Sequence, residues 1–472
     1  MGQIVKGVSW SAIERFSVQI VQFVISIFLA RLLMPEAYGI VALALVIMNI
    51  MQTINEMGFG EALMHKLDRD ELDFSSVFIM NIFLGCSLYA ILYFTSPLIE
   101  RLFAVEGLTK VIRWIGLNLI ITSLVVVQRT KLFISIDFKS MAKASLIGAI
   151  VSGLVGIIYA YRGGGVMALV AQSLLNNLIS MLIIWMQAKW RPHLKFSATR
   201  FKELFSYAYT LILARFINTL FTEIYSVAVG AFYTPTQLGL FNRAKSFEVM
   251  STNNITQIVQ RVSTPVLCEK QKDFLDLGNS LLSFIRHTAF IVFPMLCGLF
   301  VLAEPLIKVL LTDKWVEAVW ILQTLCPVGF CYVLSTFNMN IFNTTGRTDW
   351  ALKSEVIKKI VDIAIIAISI TISFEALVLA QVVVAIFEMF VNLIFTRKQI
   401  NLGIMAQFKS VAGVFFCSLV MAICIAFVVS IIKTDYLKLI VGIVVGVFSY
   451  TLLSFIFNVN GIRRIIARHK NI

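Results

Sequence analysis

Met34-Pro35-Glu36-Ala37-Tyr38-Gly39-Ile40 returns as Thr234-Pro235-Thr236-Gln237-Leu238-Gly239-Leu240, an offset of 200 residues. The same offset carries Arg15-Phe16 onto Arg215-Phe216 without a gap. Similarity at a fixed spacing is the mark of a duplicated unit. Around each copy the chain is built of long apolar blocks, such as residues 40–51, 411–432 and 439–457. Blocks near twenty residues match a hydrocarbon layer ~30 Å thick at ~1.5 Å per helical residue. Of the 472 residues, 59% are hydrophobic and 14% charged, and the mean hydropathy is +0.88, which leaves too little polar surface for a soluble globule.

Membrane-spanning helices are expected at about 9–33, 38–63, 74–99, 110–128, 143–161, 166–188, 205–231, 239–262, 281–303, 316–340, 353–373, 376–396, 409–432 and 438–458. The eighth is the weakest by hydropathy, because its centre reads Ser251-Thr252-Asn253-Asn254-Ile255-Thr256-Gln257. Charge argues for it. With fourteen spans and a cytoplasmic N-terminus, 27 of the 40 Lys and Arg fall on the cytoplasmic side, 11 outside and 2 within spans. Removing the eighth span inverts every later loop and spoils that bias. The basic cytoplasmic loops are 128–143, 189–202, 261–272 and 397–409, and the tail carries Arg463, Arg464, Arg468 and Lys470.

Six spans precede the second copy, so both copies enter the membrane from the same side. The expected architecture is all-α and polytopic, with about fourteen transmembrane helices. Two six-helix bundles, 1–200 and 201–402, are related by a pseudo-two-fold axis along the membrane normal, and 403–472 adds two helices and a basic tail. The first block holds Glu14, Arg15, Gln19 and Gln22, so it reads as a retained span and not as a signal peptide.

Several functions are excluded. The net charge of +14 is spread through short interhelical segments and acts on topology, so nucleic acid is not an expected partner. The seven cysteines lie mostly in apolar blocks without paired spacing, and the four histidines are scattered, so neither disulfides nor a metal site is expected. There is no GxxxxGK[ST] loop, and Arg162-Gly163-Gly164-Gly165 is a turn between spans, so no nucleotide cofactor is expected.

The chemistry-bearing residues are the polar ones inside spans. Ser11, Arg15, Gln19, Gln22 and Ser26 fall on one stripe of span one, and Arg215, Thr219, Thr222 and Ser226 repeat it 200 residues later. Span two presents Asn49, Gln52 and Glu56, and span eight Ser246, Asn253, Gln257, Gln260 and Thr264. Such stripes either hold helices to each other or wall a hydrated cavity, since unsatisfied groups in hydrocarbon cost several kcal/mol. Arg15 and Arg215 lie about two turns inside their spans, at matching depth, where a charge costs at least ~2 kcal/mol. Their forked guanidiniums suit a phosphate or diphosphate, and local pairing with Glu14 or Glu223 is the structural alternative. Arg261 and Arg243 extend the cationic series toward the two ends of span eight; Lys245 and Lys270 there fit interfacial snorkelling equally well. Glu56, Asp362 and Glu388 are candidates for a coupling proton or cation, with pairing of Asp362 to Lys358 or Lys359 as the competing role.

These features resemble the Wzx-type polysaccharide flippases of the multidrug/oligosaccharidyl-lipid/polysaccharide exporter superfamily. The likeness is carried by Leu29-Ala30-Arg31-Leu32-Leu33 with Tyr38-Gly39, and by Glu56-Met57-Gly58-Phe59-Gly60-Glu61-Ala62-Leu63. It continues through Leu238-Gly239-Leu240-Phe241-Asn242-Arg243-Ala244, Arg261 with Pro265-Val266-Leu267, and Glu304-Pro305 followed by Lys314-Trp315. The resemblance implies a V of two six-helix bundles opening alternately to either side. It implies transfer of an undecaprenyl-diphosphate-linked oligosaccharide repeat unit from the cytoplasmic to the periplasmic leaflet of a bacterial inner membrane, for lipopolysaccharide, exopolysaccharide or capsule synthesis. It further implies membrane lipid and a polysaccharide polymerase complex as partners, coupling to a proton or sodium gradient without another cofactor, and no enzymatic step. Two other readings remain at this point: a cation-coupled drug exporter of the same superfamily, which would keep more acids in its N-terminal bundle than Glu56, and a membrane glycosyltransferase, for which the loops are short.

Overall fold

A computed structural model describes the backbone of residues 2–56, 58–193 and 195–458, and the side chains of these from residue 17 onward except 207, 210–214 and 348. The described residues form seventeen α-helices and no strand. In order they are α1 (Gly2–Leu32), α2 (Pro35–Glu56), α3 (Phe59–His65), α4 (Glu71–Phe103), α5 (Leu108–Ser123), α6 (Val126–Ile134), α7 (Phe138–Tyr161), α8 (Val166–Gln187) and α9 (Ala198–Phe232). There follow α10 (Pro235–Glu269), α11 (Phe274–Val301), α12 (Ala303–Leu311), α13 (Ala318–Thr344), α14 (Thr348–Ile370), α15 (Phe374–Ile400), α16 (Ile404–Ile431) and α17 (Asp435–Ile456). Helices are the spanning form that satisfies every backbone group within one segment.

Each expected span has its long helix, and α3, α6 and α12 are short additions. By length and composition nine helices among the described residues are apolar enough to cross a membrane, or ten if the bent pair α5–α6 counts as one. Of the remaining long helices, α10 and α14 fall short because they carry polar and charged residues, and the described part of α1, Ser17–Leu32, is apolar but shorter than a span. The chain is thus a multi-pass membrane protein whose least apolar helices bear the candidate chemistry. Its outward faces are apolar, with Phe94, Leu98, Phe427 and Phe448 among the exposed side chains, as a lipid-facing surface requires.

The repeated motif starts a helix in both copies. Pro35 and Pro235 each occupy the first helical position, where the missing N–H is no loss and φ is preset. In the second copy Thr234 and Gln237 bond reciprocally through backbone N–H and side-chain oxygen, closing a capping box.

By contacts the chain divides into residues Met1–Gly239 and Leu240–Ile472. In the first unit α7 is clamped between α1 and α8 by small residues. A Cβ at Gly148 would lie 2.3 Å from Ser180 Oγ on α8, and one at Gly153 would lie 2.1 Å from Ile25 Cδ1 on α1. Asn55 ties α2 to α5 through bonds to Leu119 O and Thr122 Oγ1 and from Ser123 Oγ. Between α5 and α6 the chain bends by 43°, and Trp185 Nε1 donates to Leu124 O at the bend over 2.8 Å. Residues 128–134, expected as part of a basic loop, therefore belong to the helix α6. The helix α9, assigned by the repeat to the second copy, packs on α2, α3 and α4 of the first unit. In the second unit α11, α13, α15 and α16 share one apolar core, and α17 docks on α16 with Tyr450 OH donating to Phe290 O.

Candidate functional site

The polar residues expected on α2 and α9 face each other in the first unit. Asn49 Nδ2 donates to Glu223 Oε1 over 2.8 Å, and the hydroxyls of Thr53 and Thr219 lie 3.0 Å apart. These residues step by four along each helix in opposite directions, so they are rungs of an antiparallel ladder. One turn further, Gln52 Nε2 donates to Glu56 Oε1 over 3.2 Å. The side chains of Asn49, Glu56, Arg215 and Thr222 are exposed and those of Gln52, Thr219 and Glu223 partly so, so the stripe borders open space as well as joining helices.

Below the ladder the second span breaks. Gly58 adopts φ 58°, ψ 7°, the left-handed conformation glycine takes at little cost, and the short α3 follows. Phe59, Ala62 and Leu63 anchor α3 in an aromatic core with Phe78, Trp190 and Leu204, which leaves Glu61 on the opposite face. Gly60 packs on α6 so closely that a Cβ there would lie 2.8 Å from Thr130 Oγ1. That contact brings the sequence neighbours Glu61 and Arg129 to one cavity of about 230 Å³, whose lining also includes Glu56, Thr122 and Arg215.

In this cavity Arg215 is ion-paired with Glu61. The side chains are 48% and 41% exposed, and a pair so open to solvent is worth ~0–1 kcal/mol. Glu223, the expected local partner of Arg215, is instead held by Asn49. Among the described residues no acid pairs with Arg129, whose side chain is exposed. The lining thus holds two guanidiniums and two carboxylates, with one guanidinium already spoken for.

Sequence reasoning placed Arg215, Glu56, Asn49, Gln52 and Thr219 on this side of the molecule but missed Thr53, Glu61 and Arg129. Glu61 was visible only as part of a motif. Arg129 falls in a stretch that reads as a basic loop, since a nine-residue helix with two charges gives no hydropathy signal. The side chains of Ser11 and Arg15 lie outside the described residues; Gln19 and Gln22 are on α1, half-buried and exposed respectively. Thr222 spends its hydroxyl on Asn218 O one turn back, at 2.8 Å.

The residues expected on the eighth span are strung along α10. Arg243 and Arg261 stand eighteen residues apart, about 27 Å along a helix, and do not meet. Arg243 lies over the Phe247 ring at 5.6 Å, Arg261 is exposed, and Asn253 and Gln257 are half-buried between them. Lys270 pairs with Asp276 at 3.2 Å. Elsewhere in the second unit, Lys359 Nζ on α14 is 3.1 Å from Asp362 Oδ2 and 3.4 Å from Glu388 Oε1 on α15. Asp362 is 4% exposed, and its Oδ1 has no hydrogen-bond partner among the described residues. Two of the three acids expected as coupling candidates, Asp362 and Glu388, therefore share one ammonium, and the third, Glu56, lies in the first unit. Lys358 pairs with Glu355 instead.

The sequence model of the family described as polysaccharide biosynthesis proteins matches residues 28–320. The teichuronic acid biosynthesis protein TuaB of Bacillus subtilis (strain 168) is 24% identical over 459 residues, covering 96% of this chain and 95% of that protein. The lipopolysaccharide biosynthesis protein WzxC of Escherichia coli (strain K12) is 21% identical over 397 residues, 82% of this chain and 80% of its own. Among solved structures, the lipid II flippase MurJ in an inward-closed conformation matches with a TM-score of 0.75 at 16% identity, over 97% of this chain and 99% of that one. The last similarity shows a shared fold, the one that the Wzx-like motifs implied.

Proposed function

The chain belongs to the family of polysaccharide biosynthesis proteins, and from that premise we propose that it is a flippase for an undecaprenyl-diphosphate-linked oligosaccharide repeat unit. The observation that carries this reading is a cavity in which Arg129 and Arg215 stand beside Glu56 and Glu61, among helices most of which are apolar enough for lipid. A diphosphate is the part of such a substrate that cannot cross hydrocarbon unaided, and charge-assisted bonds from Arg215 and Arg15 are suited to shield it. The exposed polar stripe of α2 and α9 offers water and hydroxyl partners to the glycan, while the polyprenyl chain stays in lipid. Names of the relatives, which speak of teichuronic acid and lipopolysaccharide biosynthesis, support a glycan cargo.

The protein acts by alternating access, taking cargo at the cytoplasmic leaflet and releasing it at the outer leaflet of a bacterial inner membrane, with both termini cytoplasmic. The repeat boundaries 1–200, 201–402 and 403–472 are its functional divisions, and a polysaccharide polymerase receives its product. Asp362 and Glu388 are the seat of coupling, where a proton or sodium ion competes with Lys359 for the carboxylates.

The test is a flipping assay in vesicles of bacterial lipid. A labelled undecaprenyl-diphosphate oligosaccharide becomes accessible to an added lectin or glycosidase only after crossing. Vesicles containing the full chain are expected to expose the second leaflet's cargo at least tenfold faster than empty ones, and Arg215→Ala vesicles are expected to fall back toward the empty rate. Equal rates for empty and protein-containing vesicles overturn the reading.

A further inference from the structure

Glu61 is tied to the rest of the protein by one ion pair open to solvent, to Arg215 on α9. It sits on the side of a seven-residue helix away from the buried Phe59, Ala62 and Leu63, and its partner is an arginine 154 residues away in sequence. The Gly60 to Thr130 approach sets that carboxylate beside a second arginine, Arg129, that no acid among the described residues holds. The lining thus holds two guanidiniums, of which Arg215 is taken by Glu61, while the other carboxylate, Glu56, accepts from Gln52 and leaves Arg129 open to an anion from outside.

We propose that Glu61 is a tethered stand-in for the substrate's phosphate. In the empty protein it occupies Arg215; an arriving diphosphate displaces it and is held by Arg215 and Arg129 together. The inference rests on the diphosphate reading above and adds two residues to it, with a reason for selectivity. A monoanion offers Arg215 no more than Glu61 already does, so it gains nothing by entering. A diphosphate carries more charge and more acceptor oxygens, enough to take one guanidinium from Glu61 and fill the other at once. Displacement asks only that the Glu61 side chain rotate, because α3 is fixed by Phe59, Ala62 and Leu63. When the diphosphate leaves, Glu61 returns and closes the site behind it, which favours release.

The test uses the purified full chain in detergent, with inorganic pyrophosphate as the probe and calorimetric titration as the readout. Glu61→Gln keeps the shape of the side chain and frees Arg215, and pyrophosphate affinity is expected to rise about tenfold. Arg129→Ala is expected to lower affinity by a similar factor in both the wild-type and Glu61→Gln backgrounds. The gain from Glu61→Gln is expected to vanish in the Arg215→Ala background, which a general loosening of the fold would not produce. In the flipping assay Glu61→Gln binds more tightly yet turns over more slowly. An unchanged affinity in Glu61→Gln, or a gain that survives without Arg215, overturns the proposal. Failure of this inference is separable from failure of the substrate reading. If wild-type protein flips the lipid-linked diphosphate while Glu61→Gln and Arg129→Ala match it in both assays, the stand-in falls and the flippase stands; if wild type neither flips nor binds pyrophosphate, both fall.

Discussion

Gly39 lies against Pro235 so closely that a Cβ on it would fall 1.7 Å from the Pro235 carbonyl oxygen, and Gly239 stands in the same relation to Pro35, at 2.0 Å. All four residues are in the first unit, and the contact is reciprocal, as in a two-fold pairing of one motif with its copy. The motif Pro-x-x-x-Gly is thus explained by two demands at once: proline opens each helix, and glycine one turn later lets the other copy's first carbonyl in. Because the colliding atoms are backbone, they cannot swing aside. Gly39→Ala or Gly239→Ala is expected to cost about 1–3 kcal/mol and to lower the melting temperature of the detergent-solubilised protein by several degrees, while Gly403→Ala, where no atom lies within 4 Å, leaves it unchanged.

The Asn49 to Glu223 rung offers a charge-swap test of the α2–α9 ladder. Asn49→Asp places two carboxylates at hydrogen-bond distance, so it is expected to destabilise the protein and to slow flipping. Restoring a single charge with Asn49→Asp/Glu223→Gln is expected to recover both, with a coupling energy of about 0.5–3 kcal/mol in the double-mutant cycle. Additive effects of the two substitutions would mean that the rung carries no interaction.

The long helices were legible because hydrocarbon demands about twenty apolar residues in a row, and α15, α16 and α17 supply them with hardly an interruption. The same rule hides what is short or charged. The helix α6 is nine residues long with Arg129 and Lys131 in its middle, so in sequence it looks like the basic loop expected there. The partner of Arg215 was out of reach for another reason. Glu223 is near in sequence, but the pairing is decided by which helix crosses at that height, and Glu61 arrives from 154 residues away. Asp362, by contrast, was legible with its partner, because Lys359 is one turn away on the same helix face. The boundary at Gly239, beyond α9, follows from packing that no repeat register encodes.

The turn into α4 has a pH response. Asp70 accepts from the Asp73 backbone N–H over 2.9 Å, and that bond, with Arg200 nearby, holds its carboxyl below the usual range. A carboxylate lowered in the folded state stabilises fully above its unfolded pKa, ~3.9, and the contribution is lost as pH falls through the lower folded value. Asp70→Asn keeps the capping oxygen without the charge. It is expected to lower the melting temperature modestly at pH 7 and to flatten its fall below about pH 4, so that variant and wild type converge in acid; an identical acid limb in wild type and variant would remove Asp70 from the account.

Lys359 is the last test, because its removal separates stability from coupling. Asp362 is almost wholly buried and Lys359 is its only ion-pair partner among the described residues, so Lys359→Met leaves a carboxylate stranded in an apolar bundle. Breaking a buried pair from one side costs about 3–5 kcal/mol, and the single variant is expected to express poorly and melt early. Lys359→Met/Asp362→Asn removes both charges of the buried pair and leaves only the more exposed Glu388 without its ammonium, so its melting temperature is expected to return part of the way. If the cluster is only structural, the double variant flips cargo like wild type, with the same response to an imposed proton or sodium gradient. If it is the seat of coupling, flipping continues down the cargo's own gradient but no longer responds to either ion. A double variant that stays unstable would show that the pair's cost is not the stranded charge.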